Sequence, residues 1–186
     1  MTVKKTNAFL SLFCIALLLA HSLYQVISYL LFFYNPFLTK LFGVLLAGGI
    51  VLHGVLSCVS VFFLHDSHGI VYKKLNERTF LQRLSACGIV ILLLPHIYSF
   101  LLLQKTAESA FYFFVAAAQI LFFASLFLHT ALSVSNAFVS LGLLSDMTKK
   151  RRVDLCAAVV CAVLFVLMSF IITLVQLKIF NGGGGV

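Results

Sequence analysis

Five long apolar runs dominate this 186-residue sequence, and polar residues gather in short clusters between them. Each run has at least 20 residues, enough for a helix to cross about 30 Å of hydrocarbon. With 62% hydrophobic and 10% charged residues, the chain is too apolar for an ordinary soluble domain. The runs also lack the alternation of a membrane β-barrel. The sequence therefore predicts an all-α integral membrane protein, a bundle of five transmembrane helices.

The predicted boundaries follow the ends of the apolar runs. The five spans are expected at about residues 8–33, 41–64, 84–103, 110–144 and 155–177. The fourth run exceeds one membrane crossing, so its last two turns are expected to tilt or to stand above the bilayer. We expect residues 1–180 to form a single transmembrane domain and the glycine-rich tail 181–186 to be disordered.

The distribution of basic residues predicts the orientation of the bundle. With the N-terminus in the cytoplasm, ten of the 13 lysines and arginines fall on the inner side and three on the outer side. Inner loops carry such an excess, so the N-terminus is expected inside and the C-terminus outside. The net charge of +8 is thus explained by topology and by attraction to anionic lipid headgroups. Nucleic acid is not an expected partner.

One histidine lies deep in each of the first four apolar runs: His21, His53, His96 and His129. An intramembrane histidine is costly without a partner, so each is a candidate functional residue. Imidazole nitrogen is a common axial ligand of haem iron, and helical bundles often hold such cofactors between facing helices. Because a six-coordinate haem takes two axial ligands, four histidines on four helices match two bis-histidine haems.

Other interpretations of these histidines remain open at this stage. A zinc site is disfavoured because the sequence has no HExxH motif and no histidine pair four residues apart. Intramembrane histidines can also bond a neighbouring helix or line a proton path. The alternative function is therefore a small polytopic transporter or channel with a histidine-lined polar path, and a haem-free structural anchor is a further alternative.

Two short motifs add a family resemblance that covers most of the chain. Gln82-Arg83 precedes His96 by 13 residues, counted from the arginine, and His129 precedes Gly142 by 13. With one histidine in each of the first four of five spans, the chain resembles the single-chain, five-helix, di-haem cytochrome b anchor of succinate dehydrogenases and fumarate reductases.

The resemblance implies a role for each candidate ligand. His53 and His129 would bind the iron of a haem b near the cytoplasmic partner subunits, and His21 and His96 that of a second haem b nearer the outer face. Arg83 would bind a haem propionate, a contact that suits the arginine fork, although it also fits a simple positive-inside anchor.

The same resemblance implies partners and a substrate. The chain would pass electrons between an iron–sulfur subunit and a membrane quinone, expected to be menaquinone, in the inner membrane of a prokaryote. The sequence has no Rossmann glycine fingerprint and no cysteine cluster, so flavin, iron–sulfur and dicarboxylate sites are expected on other subunits, including a flavoprotein. Ser22, Tyr24 and Tyr98 are candidates for a quinone pocket.

Overall fold

The computed structural model describes residues 3–63, 73–102 and 109–181, and these residues form five α-helices and no strand. The helices are α1 (Val3–Leu30), α2 (Pro36–Phe63), α3 (Lys73–Leu102), α4 (Ser109–Ser140) and α5 (Met147–Asn181). Each contains a stretch of 23 to 28 residues that is long and apolar enough to cross a membrane. The predicted five-helix membrane bundle is therefore confirmed.

Helix α4 lies at the centre of the bundle. It packs closely against α1, α3 and α5, and α1 also packs against α2 and α5. Within the described ranges, α2 does not pack closely on α4, nor α1 on α3. Within the first four helices the closely packed pairs are α1–α2, α1–α4 and α3–α4, so the packing order is α2–α1–α4–α3. We call α1–α3 and α2–α4, the pairs separated by one helix in this order, the two diagonals.

The interior of the bundle is built mainly on α4. Four of its side chains are almost fully buried and pack on apolar residues of α1, α3 and α5: Phe122, Phe123, Leu126 and Phe127. The outward faces carry large exposed apolar side chains, among them Val90 and Ile91 on α3. This distribution is expected of helices that face lipid, because hydrocarbon accepts apolar surface without cost.

All five helices begin before the predicted spans, and α3 and α5 differ most from the prediction. Helix α3 begins at Lys73 instead of residue 84, and α5 begins at Met147 instead of residue 155. Asp146 caps α5, because its carboxylate accepts a hydrogen bond from the Thr148 amide at 2.8 Å. Asp154, which the prediction placed before the fifth span, therefore lies inside an apolar helix. A prediction based on hydropathy alone does not detect polar turns at the ends of a helix.

Helix α4 ends at Ser140, four residues before the predicted end of the fourth span. Gly142 has a positive φ of 78°, and the Leu143 amide reaches back to the Phe138 carbonyl at 3.0 Å. These features define a Schellman cap, in which glycine takes the left-handed position without a steric penalty. Gly142 thus ends the helix that carries His129. The predicted tail falls outside the described residues beyond Asn181.

Candidate metal centres

His53 on α2 and His129 on α4 face each other across one diagonal of the bundle. Their ring centroids lie 6.3 Å apart and their planes meet at 71°. The two helices do not pack closely within the described ranges, so the imidazoles bridge the space between them. The structure therefore brings together two residues that lie 76 positions apart in the sequence.

The ring of His129 is held by the backbone of α3. Its Nδ1 lies 3.0 Å from the Gln82 carbonyl oxygen, which only accepts hydrogen bonds, so Nδ1 carries the proton. The Ser85 hydroxyl donates to the same carbonyl at 2.9 Å. In this tautomer Nε2 carries the lone pair, and a carbonyl on the far nitrogen is the usual support of a metal-binding histidine.

The ring of His53 lacks the hydrogen bond that holds the ring of His129. Its Nδ1 is buried and has no hydrogen-bond partner among the described residues. A buried nitrogen without a partner is costly, so an orphaned ring nitrogen fits a ligand site.

His96 on α3 is held by the side chain of Gln119 on α4. Its Nδ1 lies 2.5 Å from Gln119 Oε1. The ring also stacks on Phe122, with a centroid distance of 4.4 Å and an angle of 17°, and meets the edge of Phe123. The orientation of this imidazole is therefore fixed from two sides.

His21 on α1 is the counterpart of His96 across the second diagonal. The two residues are close enough for their charges to interact, although α1 and α3 do not pack closely in the described part of the chain. Like His53, His21 has a buried Nδ1 without a hydrogen-bond partner there. Each diagonal thus joins one anchored imidazole, from α3 or α4, to one orphaned imidazole, from α1 or α2.

The two histidine pairs lie at different heights in the bundle. His129 contacts Gln82, and His96 follows Gln82 by 14 residues on the same helix. At about 1.5 Å per residue, the two heights differ by roughly 20 Å. The pair His53/His129 is the one nearer the basic end of the bundle, where Arg83 and Lys149–Arg152 lie.

The geometry of the His53/His129 pair fits one shared iron atom. A metal–imidazole bond of about 2 Å on each side, plus about 1 Å from each nitrogen to its ring centre, gives a centroid separation of about 6 Å. The measured separation is 6.3 Å. Among the described residues no cluster of three or more histidine, cysteine or acidic side chains could hold a metal.

The contact of Arg83 with a haem propionate stays a prediction. Arg83 is exposed. Arg78, one of the ten basic residues assigned to the inner side, is the better-connected arginine of α3 among the described contacts. It binds Asp154 of α5 through two nitrogens at 2.7 and 3.0 Å and the Leu132 carbonyl of α4 at 2.8 Å. The regular spacing of Arg78, Gln82 and Ser85 on one helix face could have indicated this contact surface.

The residues suggested for a quinone pocket have separate surroundings. Ser22 is buried, with 2% of its surface exposed. The Tyr24 hydroxyl donates to the Asn35 carbonyl at 3.1 Å and accepts from the Asn35 amide at 2.9 Å, in the turn between α1 and α2. Tyr98 is exposed. The Tyr24 hydroxyl is therefore occupied by a structural role.

Comparisons with protein-family models, curated proteins and solved structures find no match for this chain.

Proposed function

We propose that this chain is the haem b-containing membrane anchor of a succinate:quinone oxidoreductase, of the succinate dehydrogenase or fumarate reductase type. One observation carries the proposal: His53 and His129, on two helices that do not pack closely on each other, have ring centroids 6.3 Å apart, and the anchored imidazole of His96 lies at a second height, about 20 Å away along α3. His53 and His129 would hold one haem b, and His21 and His96 the other. Haem bound there would supply one-electron transfer across the apolar interior.

The chain's own residues support this role because they orient the histidine rings and exclude water from the interior of the bundle. The Gln82 carbonyl keeps the proton on His129 Nδ1, which leaves the lone pair on Nε2 for iron. Between the two heights, Ile89, Phe122 and Leu126 fill the interior. A dry, apolar surrounding raises the cost of extra charge and so adjusts the haem potential.

Partners are inferred from charge and from the family resemblance. The first turns of helix α5 carry Lys149 to Arg152, and Lys149, Arg151 and Arg152 are exposed at the basic end of the bundle. This surface would contact the iron–sulfur subunit, which a flavoprotein subunit accompanies. Membrane quinone, expected to be menaquinone, would exchange electrons with the haems. The proposed location is the inner membrane of a prokaryote.

A histidine-lined transport path is the second candidate function. It is favoured by the polar contacts between α3 and α4, where Gln82 donates to Ser133 at 3.0 Å and Gln119 donates to Ser99 at 2.6 Å. These contacts form two separate groups, however. Ile89 and Leu126 belong to the apolar core that lies between them. Since a continuous path needs polar groups along its whole length, the electron-transfer function is the better supported of the two.

An absorption spectrum tests the proposal directly. Protein purified in detergent is expected to be red, with reduced-minus-oxidised bands of b-type haem and about two haems per chain. In the complex with its partner subunits, succinate should reduce at least one haem. A folded, colourless preparation would overturn the proposal, and substrate flux in proteoliposomes of that preparation would favour the transport function.

A further inference from the structure

We propose that Gln119 is a positioning residue for His96: its amide oxygen fixes the proton of the imidazole on Nδ1 and so presents the Nε2 lone pair to a metal. The inference deepens the proposed function, on which the identity of the metal as haem iron rests. The effect on the proton of His96 can be measured without any metal.

The hydrogen bonds around Gln119 determine the orientation of its amide. The Ser99 hydroxyl lies 2.7 Å from the His96 carbonyl oxygen, which only accepts, so the single hydroxyl proton is used there. Ser99 Oγ must therefore accept from its other neighbour, Gln119 Nε2, at 2.6 Å. The amide nitrogen of Gln119 thus faces Ser99, and its oxygen faces His96.

The position of the imidazole proton follows from that orientation. Gln119 Oε1 only accepts hydrogen bonds, and it lies 2.5 Å from His96 Nδ1. Nδ1 must therefore donate, which makes His96 the Nδ1–H tautomer with its lone pair on Nε2. With 2% of its surface exposed, Gln119 is shielded from water that could compete for this contact.

The two anchored histidines use different acceptors. His129 donates to a backbone carbonyl, that of Gln82, which no substitution removes. His96 donates to a side chain, so its anchor alone can be removed by one substitution. An acceptor on Nδ1–H increases electron donation from the ring to a bound metal. Loss of Gln119 should therefore affect the His21/His96 centre and leave the His53/His129 centre unchanged.

The test compares three variants of the full-length chain with the unsubstituted protein. Gln119→Leu has a similar size and lacks an acceptor, whereas Gln119→Glu keeps an acceptor oxygen. Thr130→Val is the matched control, because it also removes a polar group from α4, and the Thr130 hydroxyl bonds only to the Leu126 carbonyl of the same helix in the described contacts. Nitrogen-15 NMR of labelled histidines then reports the tautomer of His96 in the haem-free protein.

The expected result is that Gln119→Leu converts His96 from the Nδ1–H form to a mixture of tautomers, while Gln119→Glu and Thr130→Val retain the Nδ1–H form. In the haem-loaded protein, Gln119→Leu should weaken haem binding at one of two sites by about 10- to 100-fold and shift the potential of that haem upwards. Rescue of both readouts by Gln119→Glu would distinguish positioning from simple packing.

An unchanged tautomer in Gln119→Leu would overturn the inference. If that variant does not fold, Gln119→Met provides the same readout, since it keeps a side chain of similar length and replaces the amide oxygen with a thioether, which is only a weak acceptor; a pure Nδ1–H form there would overturn the inference as well. A tautomer change in a protein that never binds haem would support the positioning of His96 and refute the proposed haem function, so the two failures are distinguishable.

Discussion

The guanidinium group of Arg78 and the carboxylate of Asp154 form a two-pronged ion pair between α3 and α5, with nitrogen–oxygen distances of 3.0 and 2.7 Å. Arg78 also donates to the Leu132 carbonyl and to Ser135, so one side chain joins three helices. Arg78 thereby connects the backbone of α4, at Leu132, to α3 and α5 one turn after His129. This contact surface joins α3 and α4, two of the histidine-bearing helices, to α5.

Removing the carboxylate should therefore destabilise the bundle. Asp154→Ala leaves Arg78 without its charged partner at a helix contact, and hydrogen bonds to charged groups contribute about 1.5–3 kcal/mol. Unfolding in detergent micelles, followed by circular dichroism, should show a free energy of unfolding that is lower by about that amount. Arg152→Ala, an exposed site on the same helix, should change the stability little. Equal losses in the two variants would contradict the assigned role of the pair.

Histidine substitutions should act in pairs. Because His53 and His129 share one proposed centre, alanine at either should remove the same haem from the difference spectrum and leave the other, and the double variant should look like the single ones. Alanine at His21 or His96 should remove only the second haem. Loss of both haems in every single variant would contradict the prediction of two independent centres. It would show that the two haems bind only together.

A methyl group at Gly88 should separate α3 from α4. A Cβ built there overlaps Ser125 Oγ and lies 3.0 Å from Ser125 Cβ. Gly88→Ala should cost about 1–3 kcal/mol, the usual penalty of overpacking. At Gly43 an added Cβ meets nothing within 4 Å, so Gly43→Ala should be neutral or stabilising by up to about 1 kcal/mol through helix propensity. Thermal unfolding of the two variants in the same detergent measures the difference, and a stable Gly88→Ala protein would refute the close approach.

Gln82→Leu should leave the tautomer of His129 unchanged. The acceptor for His129 Nδ1 is the backbone carbonyl of residue 82, which the substitution keeps, and the lost side chain bonds only Ser133 in the described contacts. We expect an Nδ1–H signal for His129 in nitrogen-15 NMR and a loss of about 0.5–1.5 kcal/mol in stability. A changed tautomer would show that the glutamine side chain, and not the backbone, controls this imidazole.

The sequence by itself determined the class of fold and the candidate ligands. Apolar runs long enough to cross a bilayer admit only helices, because every backbone amide must bond within its own segment in hydrocarbon. One histidine in each of four such runs also made His21, His53, His96 and His129 candidates before any contact was known. Helix ends were predicted less well, since Asp146 and Gly142 act through capping geometry and not through hydropathy.

Only the tertiary structure decided which histidines face each other and what supports them. Apolar helices can be arranged around one another in many ways at similar cost, because lipid and protein interiors are equally apolar. The arrangement depends on a few polar contacts between helices, such as Arg78 with Asp154 and His96 with Gln119. These contacts join residues far apart in the chain, and hydrogen bonds between side chains depend on orientation within tenths of an ångström, which no spacing along the sequence encodes.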